Sequence, residues 1–357
     1  NCIFDNAAFA CWNYGKENDF FQSEAGVRAE FVVLRNTQHN YNLCFIPDIC
    51  PRLNMTLTPL TGKGSLEKLS FTLGSGIFSS IPRETMIFTE EMGLKSFDMH
   101  TDRALLFVLG SQAEFEDGLK IRLETYYRHY LSRIYTYETL SSSSGYEHAD
   151  FAVKTNGKGR VFGVDAFVEK KSGKIWDGYL SYSFVYAKFF DGANIANNET
   201  ADSMFGSPLD EWYFPYYHRF HTLNLVSNLH FGKGWTFTAK ATLATGCPKE
   251  KEGKITSYAS VMDDGTVIQR YSRSYSYSDI LRSNLTCPID LRISKQWKSD
   301  NEKKHFEFYF ALQDINFVPQ GQKETFNAYT GKMTEVNDDA NFSLGVPIPS
   351  LGFKMSF

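Results

Sequence analysis

Few side chains in this sequence are spaced for catalysis. His218 and His221 stand three residues apart, a spacing that suggests a metal until it is placed on a strand, where it sends them to opposite faces. The paired carboxylates Asp263–Asp264 and Asp338–Asp339 fall in polar stretches and read as solvated turn residues. Ser141 to Ser144, followed by Gly145, reads as a loop tip and not as a nucleophile elbow. No P-loop, HExxH or strand–helix Gly-x-Gly-x-x-Gly occurs. The expectation is a protein that is not an enzyme and that carries no metal and no cofactor. Two other groups stand out. Arg122, Glu124, Asp165, Glu169, Asp290 and Arg292 alternate with apolar neighbours, as groups do that hydrate a pore or bond to a domain filling it. Tyr213, Phe214, Tyr216 and Tyr217 share one link and are candidates for stacking on a ligand, with interfacial anchoring as the weightier alternative.

Composition narrows the class. Lys and Arg number 37 against 41 Asp and Glu, a net charge of −4, which offers no basic field for nucleic acid. Aromatics make up 16 %, with 20 Tyr and 31 Phe, in keeping with the girdles of membrane barrels. Mean hydropathy is −0.33, and no apolar run reaches the ~18 residues of a spanning helix. A barrel strand needs an apolar residue only at every second position, so a barrel remains compatible with both. The six cysteines form no CxxC pair, against a zinc or thioredoxin-like site. Cys44 with Cys50, and Cys247 with Cys287, are candidate disulfides for an oxidising exterior; free thiols are the open alternative. Asn1 to Asp5 has no basic start and no long apolar core, so either a signal has been removed or the chain begins inside a larger protein.

The elements that must position these residues are strands. Leu119, Ile121, Leu123, Thr125 and Tyr127 point one way, and Lys120, Arg122, Glu124, Tyr126 and Arg128 the other. Leu223, Leu225, Leu229 and Phe231 repeat the pattern, as do Trp235, Phe237, Ala239, Ala241 and Leu243. It predicts strands near 2–14, 24–34, 52–60, 66–78, 103–115, 119–133, 157–170, 175–188, 219–231, 235–246, 285–298, 305–317 and 349–357. The links alternate. Short ones fall at 15–23, 61–65, 116–118, 171–174, 232–234 and 299–304, and long ones at 35–51, 79–102, 134–156, 189–218, 247–284 and 318–348. Short turns on one side and long loops on the other are the mark of an outer-membrane barrel. A soluble sandwich has no reason to gather every long loop at one end. Most predicted strands also exceed the ~5–6 residues usual in soluble sheets and reach the ~9–11 that cross a bilayer.

The ends of the strands agree. Trp12, Trp176, Trp235 and Trp297 lie beside short turns, as a periplasmic aromatic belt requires, whereas Trp212, Tyr213, Tyr216 and Tyr217 lie at the opposite end. The chain closes on Leu351, Phe353, Met355 and Phe357, one apolar face ending in Phe, similar to the C-terminal signal read by the barrel-assembly machinery. With that strand running toward the periplasm, the links direct every other one. About thirteen strands result, an odd number on which an antiparallel barrel cannot close, so either one more strand lies within the chain or, the favoured reading, strands are supplied from before Asn1.

These stretches resemble the C-terminal part of the barrel of TonB-dependent outer-membrane receptors. The resemblance is carried by "DGLKIRLETYYRHY" at 117–130, by "GKGRVFGVDAFVEKKSGKIWDGYLSYSF" at 157–184 with Gly163 and Asp165, and by 214–248 with Arg219 and His221. It extends to "IDLRISKQW" at 289–297 and to "FYFALQDINF" at 308–317, where Asp314 stands at a position that is often Asn in the family. It is good over 100–357 and loose before. The resemblance implies an all-β, antiparallel transmembrane barrel of about 22 strands, of which this single region would supply the last part. It also implies a plug domain, energy coupling from TonB through that plug, uptake of a scarce ligand, and a place in the lipid of a Gram-negative-type outer membrane. The plug and about nine strands would lie outside the chain. A passive pore, an adhesin barrel without transport and, distantly, a soluble sandwich are the competing readings.

Overall fold

The computed structural model describes residues 2–16, 19–36, 41–44, 47–81, 100–143, 146–171, 173–190, 212–251, 255–261, 266–273, 276–298, 305–316, 323–327, 329–336 and 347–356. The described residues are all strand, turn and link. The first strands are β1 (Cys2–Tyr14), β2 (Phe21–Asn36), β3 (Tyr41–Cys44), β4 (Asp48–Lys63), β5 (Leu66–Ser80) and β6 (Asp102–Phe115). Then come β7 (Leu119–Ser143), β8 (Tyr146–Lys170), β9 (Trp176–Phe190), β10 (His221–Gly232) and β11 (Trp235–Ala244). One long link holds β12 (Pro248–Lys251), β13 (Ile255–Val261), β14 (Val267–Arg273) and β15 (Ser276–Arg282). The last are β16 (Pro288–Lys298), β17 (His305–Asn316), β18 (Lys323–Asn327), β19 (Lys332–Val336) and β20 (Ile348–Ser356).

One 14-stranded sheet dominates, in the order β1-β2-β4-β5-β6-β7-β8-β9-β10-β11-β16-β17-β20, with β3 paired on β2. Each strand on this path pairs antiparallel with the next, so the sheet is a sequential meander with every predicted strand in place. Its two outer strands, β1 and β20, point the same way, because twelve reversals separate them along the path.

Register turns the alternation into two faces. Across β7, β8 and β9, Ile121–Val168–Leu180, Leu123–Ala166–Tyr182, Thr125–Val164–Phe184 and Tyr127–Phe162–Tyr186 form successive rows. Leu123, Phe162 and Tyr186 are 46 %, 44 % and 42 % exposed, although each lies mid-strand in a hydrogen-bonded sheet. The same apolar face carries Leu225, Ile293, Phe308, Leu351 and Phe353, the last two 70 % and 60 % exposed. So large an exposed apolar surface calls for lipid or a partner over it. Trp12, Trp235 and Trp297 border it beside the short turns, and Trp297 stacks on Phe306. Tyr186, Phe214 and Phe220 border it at the other end. Trp176 to Tyr186 spans ten residues, about 33 Å of strand, or about 25 Å vertically at a ~40° tilt; that is the height of a barrel's apolar band.

The short turns show why they are short. Gly118 has φ 78°, its N–H bonds to the Phe115 carbonyl, and Asp117 Oδ1 accepts from the Leu119 N–H. Lys170 on the next strand reaches Asp117 at 2.7 Å, which with the Leu119 bond holds that carboxyl below its ordinary range. Gly232, Lys233 and Gly234 all lie at positive φ, so this turn suits two glycines.

Two expectations need correction. The link 134–156 is mostly sheet: β7 and β8 run 25 residues each and pair as far as Ser143↔Tyr146. Where a hairpin projects beyond the bilayer neither face must be apolar, so period-two alternation vanishes while backbone pairing persists. The long links also hold sheet of their own, with β12 paired to β15, β13 to β14 and β18 to β19. The disulfides do not form: Cys50, Cys247 and Cys287 are free thiols. Cys44 pairs with Val33 and Cys50 with Arg28, five residues apart on β2, or about 16 Å, beyond the ~7 Å reach of a disulfide. Cys247 bonds through its backbone to Ser283, whereas Cys287 adjoins Thr286, the partner of Ala244; that register holds the two thiols apart.

Candidate functional site

The opposite face of the sheet is polar, and all six charged residues singled out from the sequence lie on it. Glu124 pairs with Asp165, Lys120 with Glu169, Lys240 with Asp290 and Thr238 with Arg292. Their side chains bond along the face. Arg122 lies 3.8 Å from Glu124 and stacks over Phe167; Asp165 accepts from Ser183 at 2.5 Å; Lys240 lies 3.6 Å from Asp290. Arg292 donates to Glu307 at 2.6 Å and stacks over Tyr309 at 4.1 Å. Most of these groups keep part of their surface open, so the face is polar and wettable, not a packed core.

Near the short turns the face is concave. A cavity of about 240 Å³ crosses β2, β4, β5, β6 and β7, lined by Gln22, Thr56, Thr58, Lys68, Ser70, Thr72, Gln112, Arg122 and Glu124 among others. Thr58 and Ser70 are buried at its floor, and among the described residues the Thr58 hydroxyl has no hydrogen-bond partner. A hydroxyl-rich hollow with a charged edge accepts a polar guest or water and offers nothing to an apolar one. Across β9, β10 and β11 the face is instead tied shut: Asp177 accepts from Asn228 at 2.9 Å and bonds to His230, His230 Nδ1 meets Thr236 at 3.1 Å, and Thr238 donates to Asn228.

A second polar knot lies at the long-link end. Asp48, 2 % exposed, accepts from Thr101 and lies 3.6 Å from Arg103, which also donates to Ser132. Glu30 joins Arg28 and Ser79, and the Cys50 thiol meets Ser79 at 3.4 Å. Aromatic rings fill the glycine gaps of the face. A Cβ at Gly163 would overlap the Tyr126 ring, and one at Gly352 the Tyr309 ring. Asp314 sits at φ 57° in the bulge that faces Asp290 and donates its N–H to the Asp290 carboxylate. That left-handed backbone suits Asn and Asp, a physical reason for either at this position.

The four aromatics of link 212–220 that were candidates for ligand contact part company. Tyr213 pairs with Phe189 through its backbone and takes a hydrogen bond from Arg133 at 3.0 Å. Phe214 is buried among Tyr186, Phe220, Lys188 and Arg282. Tyr216 and Tyr217 make a T-shaped pair and, at 65 % and 59 % exposed, are the two of the four that lie at the surface. His218 precedes the strand and faces a backbone carbonyl, not His221: Nε2 bonds Val185 O at 3.0 Å and Nδ1 accepts from Arg282 at 3.2 Å. Burial, with the Arg282 charge beside it, lowers its pKa from 6.5 to about 4. His221 bonds Tyr182 instead. Among the described residues no group of three His, Cys, Asp or Glu could hold a metal. Asp263–Asp264, Asp338–Asp339, the Ser144–Gly145 tip and Phe357 lie outside the described residues; Leu351, Phe353 and Met355 line the exposed apolar face.

Sequence reading missed the cavity floor and the Asp48 knot. Thr56, Thr58, Ser70 and Thr72 alternate on their strands, but their convergence depends on inter-strand register. No charge in the sequence pairs Asp48 with Arg103, fifty-five positions away.

A sequential antiparallel sheet, apolar on one face and polar on the other, with short turns at one end and long links at the other, has the fold of an outer-membrane transporter barrel. Two solved structures share it: the copper transporter OprC (12 % identity, TM-score 0.52, covering 99 % of this chain and 47 % of that one) and the outer membrane transporter YddB from Escherichia coli (9 % identity, TM-score 0.50, covering 99 % and 54 %). The chain thus spans about half the length of the structures it matches. No protein-family model matches the sequence, and no curated protein does.

Proposed function

We propose that the chain is the C-terminal part of an outer-membrane receptor barrel that imports a scarce ligand, energised by TonB through a plug supplied by residues outside it. Strand parity supports the incompleteness: β1 and β20 point the same way, so an antiparallel barrel closes only with an odd number of further strands. The spans of the two solved transporters leave room for them. The observation that carries the import reading is the polar face. It is continuous from β2 to β17, concave at the 240 Å³ hollow, and charged yet partly open, as a wall is that must bond to a removable polar domain. The protein acts by passage and binding, not by catalysis, and Tyr216 and Tyr217 offer the outer ligand contact. Lipid covers the apolar face, and Leu351, Phe353, Met355 and Phe357 present the strand that the assembly machinery reads.

Planar-bilayer recordings on the full-length protein test this. The intact receptor should be silent, and deletion of its plug should open steady conductance. Steady conductance in the intact protein would favour the passive pore, and silence of both forms the adhesin. Ligand uptake that persists without TonB would remove the energised reading.

A further inference from the structure

We infer that the outward face of β7–β9 carries a docking site for the phosphate groups of a membrane lipid, at the rim where the long links emerge. The inference rests on the membrane reading above. One register step beyond the aromatic row Tyr127–Phe162–Tyr186 lies the row His129–Arg160–Lys188, and one step further Lys158 pairs with Phe190. Each step is two residues, about 7 Å along the strand. Aromatic rings that mark the apolar boundary are thus followed at once by cationic heads, the order in which a lipid presents its chains and its phosphate.

The cations are held in place by stacking. The Arg160 guanidinium lies 4.8 Å over the Trp212 ring, and Lys188 lies 4.7 Å over Phe214 and donates to the Trp212 carbonyl at 3.4 Å. Arg282 covers Phe214 from β15 at 4.9 Å. Arg160 and Lys158 nonetheless remain exposed. A guanidinium stacked by its face, as that of Arg160 is, keeps its N–H edge for a phosphate. Charge complementarity selects the guest: from Leu119 to Leu131, Lys158 to Lys170 and Trp176 to Phe190 this face of the described strands bears no carboxylate. The opposite face of the same strands carries Glu124, Asp165, Glu169 and Asp177, so the segregation is by face and not by strand composition. Phe162 and Tyr186 lie directly beneath to receive acyl chain. An anion with a fatty tail fits both layers, and a free anion fits one.

The test is native mass spectrometry of the full-length protein from detergent, offered three lipids: bisphosphorylated lipid A, its dephosphorylated form, and phosphatidylethanolamine. Phosphorylated lipid should be retained at least five-fold over the others. The double variant Arg160→Gln/Lys158→Gln should lose that preference, and Lys158→Gln alone, which touches no stacked ring, should lower it about two-fold. Inorganic phosphate at 10 mM should not displace the lipid. Equal retention of the three lipids, or preference unchanged in the double variant, overturns the site; displacement by inorganic phosphate makes it a free-anion site and overturns the lipid assignment. Heat-modifiable mobility on gels, read in parallel, separates the two levels. A protein that folds into lipid without preference sinks this inference alone, whereas one that never inserts sinks the membrane reading with it.

Discussion

The two faces of β7–β9 are built from the same strands, yet they obey different rules. On the apolar face, Leu123, Ala166 and Tyr182 share a row and carry no charge. On the polar face, one residue along, Glu124 meets Asp165, and Asp165 takes a hydrogen bond from Ser183. The first face is uniform and tolerates any apolar side chain, because lipid adapts to its shape. The second is particular: rings, glycines and charges are matched across strands, as Tyr126 is to Gly163. The difference teaches that the lipid side of such a wall constrains residue class, and the lumen side constrains residue identity.

The largest effect should come from breaking the class rule. Leu123→Arg sets a charge mid-band on the lipid face and should cost about 2–4 kcal/mol of stability, read as a lowered denaturant midpoint in vesicles. The same substitution at Thr125, in the next row, should behave alike. If Leu123→Arg leaves the midpoint where it was, this face does not meet lipid.

Breaking the identity rule should come second. Gly163→Val drives a Cβ into the Tyr126 ring and should cost about 1–3 kcal/mol. Tyr126→Ala in the same chain should restore part of that loss, because the clash is with this one ring. Additive losses in the double variant would mean that the pair does not pack as described. Gly163 could be picked out in the sequence only as a small residue in a strand; the ring that needs it lies thirty-seven positions earlier and is found only through the β7–β8 register.

Legibility follows the same divide. The thirteen long strands were readable because lipid imposes period two on one face, and the alternation of short and long links gave their direction. Thr136 to Ser143 were not readable as strand: TYETLSSS has no apolar period, since a hairpin in water needs none. The six charged residues could be assigned to one face by parity alone. The hollow could not, because its floor depends on every bulge between β2 and β7, including the shift between Leu57 and Leu60. The disulfides failed for a related reason: closeness in sequence says little once a strand carries its residues about 3.3 Å apart each.

At the rim where the faces meet, pH should act next. His218 is neutral in the fold, with a pKa near 4 against an ordinary 6.5. Between these values the unfolded chain takes up a proton and the native chain does not, so stability falls as pH drops from about 6.5 to about 4 and is flat above. The loss should be no more than about 3 kcal/mol. His218→Phe, which keeps a ring between Phe214 and Phe220, should flatten the profile over that window in unfolding titrations. A slope unchanged in the variant would assign the effect to another group.

The smallest effect should be at Arg292, and it is the one that most sharpens the comparison. Its guanidinium bonds Glu307 at 2.6 Å and lies over Tyr309, contacts that look strong on paper. The side chain is nevertheless 40 % exposed on the polar face, where water screens the pair and competes for the same hydrogen bonds. Arg292→Gln should therefore shift stability by no more than about 1 kcal/mol, several-fold less than Leu123→Arg. Its consequence should appear elsewhere, in how firmly a polar domain is held against the wall, and hence in conductance of the full-length protein. A stability loss as large as that of Leu123→Arg would mean that Arg292 is sealed from water. The polar face would then be a core and not the wall of a passage, and the contrast between the two faces would fail at the residue where it is most exposed to test.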